Sequence, residues 1–261
     1  MQKCVVVIPT YNEANNLPVL AAELWALRIP GLSILVVDGN SPDGTGEIAD
    51  ELAEQCPGEL TALHLSDRGG LRRAYIAGFK WSLTHGADIV IQMDCDFSHS
   101  PRHIHDLLGA IQDADLVVGS RYVAGSKLDD SMGSVQYLQS WWANAIYART
   151  ILNLQIKDAT SGFRCWQASA LQGIDLDAIA SNGYSFQIEM AYVAEKLGYK
   201  IIEIPIHFEE RRLGRTKLNF PDKFEAAIRT WEIWWRYRDF PHSIGDSSIE
   251  NGPDANREHR N

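Results

Sequence analysis

The sequence predicts an α/β fold built on a central, mostly parallel sheet flanked by helices. Apolar runs at residues 3–8, 33–37, 60–65, 89–93 and 116–118 are separated by helix-length segments, the alternation that βαβ units produce. Most of these runs are continuously apolar rather than alternating, as strands covered by helices on both faces are. The chain has 261 residues, 45% of them hydrophobic, enough for one domain with a two- or three-layer core.

The elements follow in chain order. The N-terminal run is too short for a signal-peptide apolar region and is shaped like a buried strand, so no signal peptide is expected. Thr45 stands where it can cap a helix over residues 47–55. Ser100 and Pro101 supply an N-cap and a first-turn proline for a helix over 102–111. Residues 124–134, rich in Gly, Ser and Asp, read as a mobile loop of the length at which loops carry function or are disordered. A long helix over 135–152, a loop over 158–164 and a helix over 186–197 come next. A strand over 201–208 then contains Pro205, which indicates a sheet edge or a bulge. A helix over 223–238 closes a domain of residues 1–239, and the polar stretch 240–261 is expected to be a disordered tail.

The net charge of −10 disfavours a sequence-independent nucleic-acid binder held by phosphate contacts. Cys4, Cys56, Cys95 and Cys165 are widely spaced and form no C-x-x-C pair, so a reducing, cytoplasmic setting is expected. No run of 18 apolar residues occurs, so an encounter with a membrane would be peripheral.

Polar clusters close the strands: Pro9 to Glu13, Asp38 to Thr45, Asp94 to Asp96 and Gly119 to Tyr122. Ligands of open α/β sheets bind outside the carboxyl ends of the strands, so these segments should converge on one crevice. If strand geometry persists, Asp94 and Asp96 present both carboxylates on one side and Cys95 on the other. Two hard oxygen ligands suit Mg²⁺ or Mn²⁺ completed by substrate phosphates, although a lone D-x-D can also be an acidic turn. His99, His103 and His105 read as solvent-facing or capping residues rather than a metal set. The Asp43-Gly44-Thr45-Gly46 turn suits a phosphate at a helix N-terminus or a plain loop equally.

Residues 207–238 carry a net charge of +3 within this acidic chain, densest at residues 209–217. That reversal suits a pyrophosphate or lipid phosphate, with a solvated loop as the bland alternative. Trp231, Trp234 and Trp235 share one helix face beside Arg236 and Arg238. The face fits membrane contact, core packing or a dimer contact.

Eight segments in order, IPTYNE, VVDGNSPDGTG, AYIAGFK, MDCDFSHSP, GSRY, DATSGFR, GYSFQIEM and ERRLGRTK, resemble the family 2 glycosyltransferases, and within them the dolichol-phosphate mannose synthases. The resemblance covers about residues 3–220. It implies a GT-A fold with a C-terminal helical extension and no transmembrane helices, a nucleotide-sugar donor (GDP-mannose most often), a divalent metal (Mg²⁺ or Mn²⁺) and a polyprenyl-phosphate acceptor. By matching position, Pro9, Tyr11, Glu13, Val36 and Asp38 would hold the nucleotide. Asp94 and Asp96 would serve the metal and diphosphate, with Met93, Cys95 and Ser98 lining that site. Arg121, Arg211 and Lys217 would hold phosphates of acceptor and donor.

A lipid monophosphate carries its nucleophilic oxygens already ionised near neutral pH, so no general base is required. In-line attack then inverts the anomeric centre, giving a β-linked product from an α-linked donor. The chain departs from the usual family pattern at Gly39, at Arg72 and Arg73, and at Gln136. Another nucleotide sugar, a soluble acceptor, or a weakly catalytic subunit working with a membrane-anchored partner are the alternatives these departures leave open.

Overall fold

The computed structural model describes residues 2–128, 149–208 and 220–238. Its strands are β1 (Cys4–Thr10), β2 (Leu32–Asp38), β3 (Leu60–His64), β4 (Ile89–Gln92), β5 (Leu116–Ser120), β6 (Lys127–Leu128), β7 (Arg164–Gln167), β8 (Ile201–Pro205) and β9 (His207–Phe208). Seven of them form one sheet in the order β3-β2-β1-β4-β7-β5-β8, and β6 pairs with β9 in a second sheet. The helices are α1 (Leu17–Ala26), α2 (Thr45–Gln55), α3 (Gly70–Thr84), α4 (Ile104–Ala110), α5 (Arg149–Leu152), α6 (Ala168–Gln172), α7 (Gly183–Lys196) and α8 (Phe220–Tyr237).

The apolar runs produce this sheet because both of its faces are covered. Val5, Val7, Leu35 and Val37 point into a core shared with α3 and α7, while Val6, Ile8, Ile34 and Val36 enter a second core under α1. Helix α3 lies so close to the sheet that a Cβ on Gly78 would overlap the Val7 side chain. That approach requires glycine.

Strand β7 is antiparallel to both neighbours, pairing Gln92 with Arg164 and Val118 with Arg164. The other pairings in the large sheet are parallel. The sequence reading ends a loop at Arg164 and does not anticipate this strand, because Arg164-Cys165-Trp166-Gln167 is short and half polar. Burial of that polar content is made tolerable locally: Arg164 Nε and Nη2 donate to the carbonyls of Ser161 and Ala159 at 2.9 and 2.7 Å.

Other expectations are corrected in detail. Thr45 does not cap α2 but is its first residue, and its hydroxyl donates to Asp43 Oδ1 at 2.5 Å. Ser100 precedes the next helical segment with extended backbone but makes no side-chain cap. That segment is a 3₁₀ turn, Pro101–His103, running into α4. The loop expected from residue 124 contains β6, which pairs Lys127 with His207. The strand expected over 201–208 breaks after Pro205, and β8 is an edge of the large sheet, as the proline indicates. Helices α7 and α8 begin at Gly183 and Phe220, each three residues earlier than expected.

Of the helix expected over 135–152, only α5 belongs to the described residues. Gln136, the basic residues 209–217 with Arg211 and Lys217, and the tail 240–261 lie outside them. No helix among the described residues is long and apolar enough to cross a membrane.

Candidate active site

Strand order reverses between β1 and β4, because the chain builds outward from β1 to β3 and then returns to the other side of β1. The carboxyl ends of these strands therefore frame the crevice in which open α/β sheets take ligands. Just beyond three of the strands the chain turns through left-handed backbone, at Asn12 (φ 62°), Asn40 (φ 58°) and Phe97 (φ 64°). Asparagine tolerates this conformation, whereas for phenylalanine it is strained, and such strain concentrates at functional sites.

On the β1–β2 side, buried Asp38 organises the loops. Its Oδ1 accepts from the hydroxyls of Thr10 at 2.9 Å and Ser41 at 2.6 Å, and its Oδ2 accepts the Ser41 N–H at 2.9 Å. Ser41 Oγ in turn accepts the Asn12 N–H, and Thr45 Oγ1 accepts the Glu13 N–H. Glu13 accepts from Asn16 Nδ2 at 2.7 Å. Tyr11 lies under the Arg68 guanidinium, 4.1 Å from the ring centroid. Gly39 is buried, and a Cβ there would come within 3.3 Å of the Thr10 carbonyl, so a larger residue would have to shift that contact.

On the β4 side, strand geometry stops at Gln92 and the backbone bends through residues 95–98. The alternation expected of Asp94, Cys95 and Asp96 in a strand is thus replaced by a bend. Both carboxylates nonetheless bear on the same neighbours, Tyr75, Cys95 and His99. Tyr75, fully buried and stacked on Phe79 and Phe186, donates to Asp94 Oδ1 at 2.9 Å. Burial first, and then the Asp94 and Asp96 charges, push its phenol well above the ordinary range, so it stays a donor.

His99 is buried, not solvent-facing, and stacks on Phe163. Its Nδ1 accepts the Asp94 N–H at 3.1 Å, which places the neutral ring's proton on Nε2. Burial lowers its pKa against the raising effect of the two aspartates. Asp96 accepts the Ser98 N–H at 3.0 Å. His103 instead ties the 3₁₀ turn ahead of α4 to β9, accepting the His207 N–H at 3.0 Å, and His105 is exposed.

At the end of β5, Arg121 faces Asp158. Nε donates to Oδ2 at 2.8 Å, and Nη2 donates to Oδ1 at 2.7 Å and to Thr160 Oγ1 at 2.8 Å. The Arg121 backbone N–H adds a third contact to Asp158 Oδ2 at 2.9 Å. Burial opposes both charges, but each charge outweighs burial on its partner: the Asp158 carboxyl is held low and the Arg121 guanidinium high. The Arg121 side chain is 12% exposed, so what remains open to a ligand is limited.

The structure places Pro9 and Asp38 at the carboxyl ends of β1 and β2, and Tyr11, Glu13, Asp94, Asp96, Ser98 and Arg121 on the segments that follow the strands around this crevice. Val36, Met93 and Cys95 place their side chains in the core beneath it, leaving the backbone as their means of meeting a ligand. Sequence reasoning assigns no role to Tyr75, Arg68 or Asp158, nor to Gly162 or Gln187. Four of these lie inside the quoted motif segments, so the segments mark the positions while the contacts appear only on folding. Arg72 is committed to the segment ahead of α7: its Nη1 and Nε donate to the Ile179 carbonyl and Asn182 Oδ1, both at 3.1 Å. Arg73 pairs with Asp67.

Among the described residues no group of three or more His, Cys, Asp and Glu is gathered as a metal cage. The donor set is instead two carboxylates, Asp94 and Asp96, on a bend at a strand end. It fits Mg²⁺ or Mn²⁺, which keep several positions for water and substrate phosphates.

A family model described as Glycosyl transferase family 2 matches residues 5–172. The chain is 43% identical over 245 residues to an undecaprenyl-phosphate mannosyltransferase of Micrococcus luteus, covering 93% of this chain and 99% of that one. It is 40% identical over 232 residues to a polyprenol monophosphomannose synthase of Mycolicibacterium smegmatis, covering 88% and 86%. Among solved structures, glucosyl-3-phosphoglycerate synthase of Mycobacterium tuberculosis, with Mn²⁺, UDP and its product, superposes with a TM-score of 0.63. That match is at 16% identity and covers 94% of this chain and 82% of that one.

Proposed function

From the premise that this chain belongs to glycosyl transferase family 2 and has the GT-A fold, we propose that it transfers mannose from GDP-mannose to a polyprenyl phosphate with inversion. The observation that carries the reading is the cradle at the β1–β4 switch point, where Tyr75 and His99 hold Asp94 beside Asp96. The polyprenol-phosphate mannosyl activities in the names of the two relatives supply the substrate class.

The β1–β2 loops organised by Asp38 would take the nucleotide. Pro9, Tyr11, Glu13 and the backbone at Val36 would line its seat. Asp94 and Asp96 would hold Mg²⁺ or Mn²⁺ at the diphosphate, with Ser98 beside them and Met93 and Cys95 contributing backbone. The ion, when bound, supplies neutralisation of charge on the departing nucleoside diphosphate. Asp94 is set before any substrate arrives, its carboxylate by the Tyr75 hydroxyl and its backbone N–H by His99, and groups fixed in advance of charge development lower the barrier without reorganising.

Arg121, pre-set by Asp158, would face acceptor or donor phosphate together with Arg211 and Lys217. The acceptor phosphate is its own nucleophile, so these residues need only position it in line with the anomeric carbon.

The acceptor is a lipid, and the α8 face suits a peripheral approach to the bilayer on the cytoplasmic side. Trp231, Trp234 and Trp235 are 54%, 36% and 63% exposed, while Thr230, Ile233 and Tyr237 turn into the protein. Exposure on this scale speaks against core packing. Arg238 lies 3.6 Å over the Trp235 ring, joining a cation to an interfacial aromatic.

The test supplies polyprenyl phosphate, Mg²⁺ or Mn²⁺ and a panel of labelled nucleotide sugars, with EDTA as control, and follows label into organic solvent. Metal-dependent labelling from GDP-mannose is the expected result. Label entering the lipid only from another donor, or only a water-soluble acceptor, would overturn the assignment.

A further inference from the structure

Gln187, on α7, is 2% exposed, and its amide nitrogen is buried without a hydrogen-bond partner. Buried amide donors are almost always paired, so an orphan at the wall of a crevice calls for an explanation.

Its orientation follows from a relay. The Trp166 indole N–H can only donate, so the Gln92 atom 2.6 Å from it is the carbonyl oxygen. The Gln92 amide nitrogen then faces Gln187 at 3.3 Å, and the atom it meets must be Gln187 Oε1. This fixes the amide assignment by chemistry. Gln187 Nε2 is left pointing away from Gln92.

The space it meets lies over Gly162. The point at which a Cβ on Gly162 would sit is 3.5 Å from Gln187 Nε2, 3.5 Å from Asp94 Oδ2 and 3.4 Å from His99 Cε1. Glycine keeps that space open. It is walled by one obligatory donor, the Gln187 amide, and one carboxylate oxygen that can only accept. A group that satisfies both must accept and donate at once, which a hydroxyl does and a phosphate oxygen does not.

We propose that Gln187 Nε2 and Asp94 Oδ2 together bind one hydroxyl of the hexose on the nucleotide-sugar donor, making Gln187 a sugar-specificity residue. This rests on reading the crevice as a nucleotide-sugar site. Helix α7 is held for the task by Glu189, whose buried carboxylate accepts from Arg236, Tyr237 and the Ser181 N–H at 2.7, 2.9 and 2.7 Å.

The experiment measures binding of GDP, GDP-mannose and monodeoxy GDP-mannose analogues to the full chain, alongside transfer to polyprenyl phosphate. Wild type should bind GDP-mannose more tightly than GDP and should lose at least about tenfold with a single deoxy analogue. In Gln187→Leu the GDP affinity should be retained, the advantage of the sugar reduced, and that one deoxy position should cost nothing further. Gln187→Met keeps the length of the side chain and adds no charge while removing the donor, and should show the same pattern if the leucine variant melts early.

Equal loss across all analogues, or equal weakening of GDP and GDP-mannose, would overturn the role. So would a wild type that gains nothing from the sugar. Sugar discrimination through Gln187 without lipid labelling would overturn only the acceptor assignment.

Discussion

Arg121 grips Asp158 with two prongs, Nε on Oδ2 at 2.8 Å and Nη2 on Oδ1 at 2.7 Å, across 37 residues of sequence. Because Asp158 is fully buried and Arg121 nearly so, this pair connects the end of β5 to the turn leading into β7. Glu203 of β8 holds the same turn by accepting the backbone N–H groups of Lys157 and Asp158, both at 2.9 Å.

Asp158→Asn should therefore destabilise the protein by about 3 kcal/mol, since it leaves a buried guanidinium without its counter-charge. Urea unfolding followed by fluorescence measures this. A shift under about 1 kcal/mol would show that the pair contributes as little as a surface ion pair.

The same pair makes the fold acid-sensitive. In the folded state Asp158 titrates below its ordinary range despite burial, because Arg121 outweighs it, while in the unfolded chain it returns to about 3.9. As pH falls the unfolded state binds the proton first, so the stabilisation is complete above about pH 5 and is lost as pH drops through the folded value. Wild-type urea midpoints should fall more steeply between about pH 5 and pH 3 than those of Asp158→Asn.

Tyr75→Phe removes the hydroxyl that orients Asp94 but keeps the stacking on Phe186. About tenfold slower transfer is expected, with a change in melting temperature of only a few degrees, because one hydrogen bond to a carboxylate is lost. Asp96→Ala should abolish transfer and the response to added metal altogether. Steady-state kinetics across metal concentration separates the two variants.

Glu189→Ala should loosen α8, since it deletes the acceptor of Arg236, Tyr237 and the Ser181 N–H at a fully buried site. Limited proteolysis should show faster cleavage in residues 220–238 than in wild type. Unchanged cleavage would mean that Ile233 and the apolar face hold the helix without it.

Replacing Trp231, Trp234 and Trp235 by serine should leave the melting temperature within a few degrees, because these rings are exposed. Sedimentation with anionic phosphatidylglycerol vesicles should drop severalfold if the face meets a bilayer. Equal sedimentation of variant and wild type would remove α8 from the membrane contact.

The sequence by itself determined the parallel strands at the centre of the sheet, because strands buried on both faces must be largely apolar, and the runs at residues 3–8, 33–37 and 89–93 are. It also determined where the crevice would lie, since Pro9 to Glu13, Asp38 to Thr45 and Asp94 to Asp96 are polar clusters placed directly after those runs. The motif segments carried the family for the same reason: their order along the chain is itself sequence information.

Tertiary structure alone decided the partners. Strand β7 is set by pairing with β4 and β5 rather than by a pattern of its own, so its half-polar residues gave no period to read. Tyr75 meets Asp94, Arg121 meets Asp158, and Trp166 orients Gln92 and through it Gln187 across 74 and 95 residues of chain. Such contacts depend on where elements dock, which no local spacing records. The Trp stripe on α8 shows the same division: its spacing placed three rings on one face, and only the docking of Ile233 and Tyr237 against the protein decided that this face looks outward.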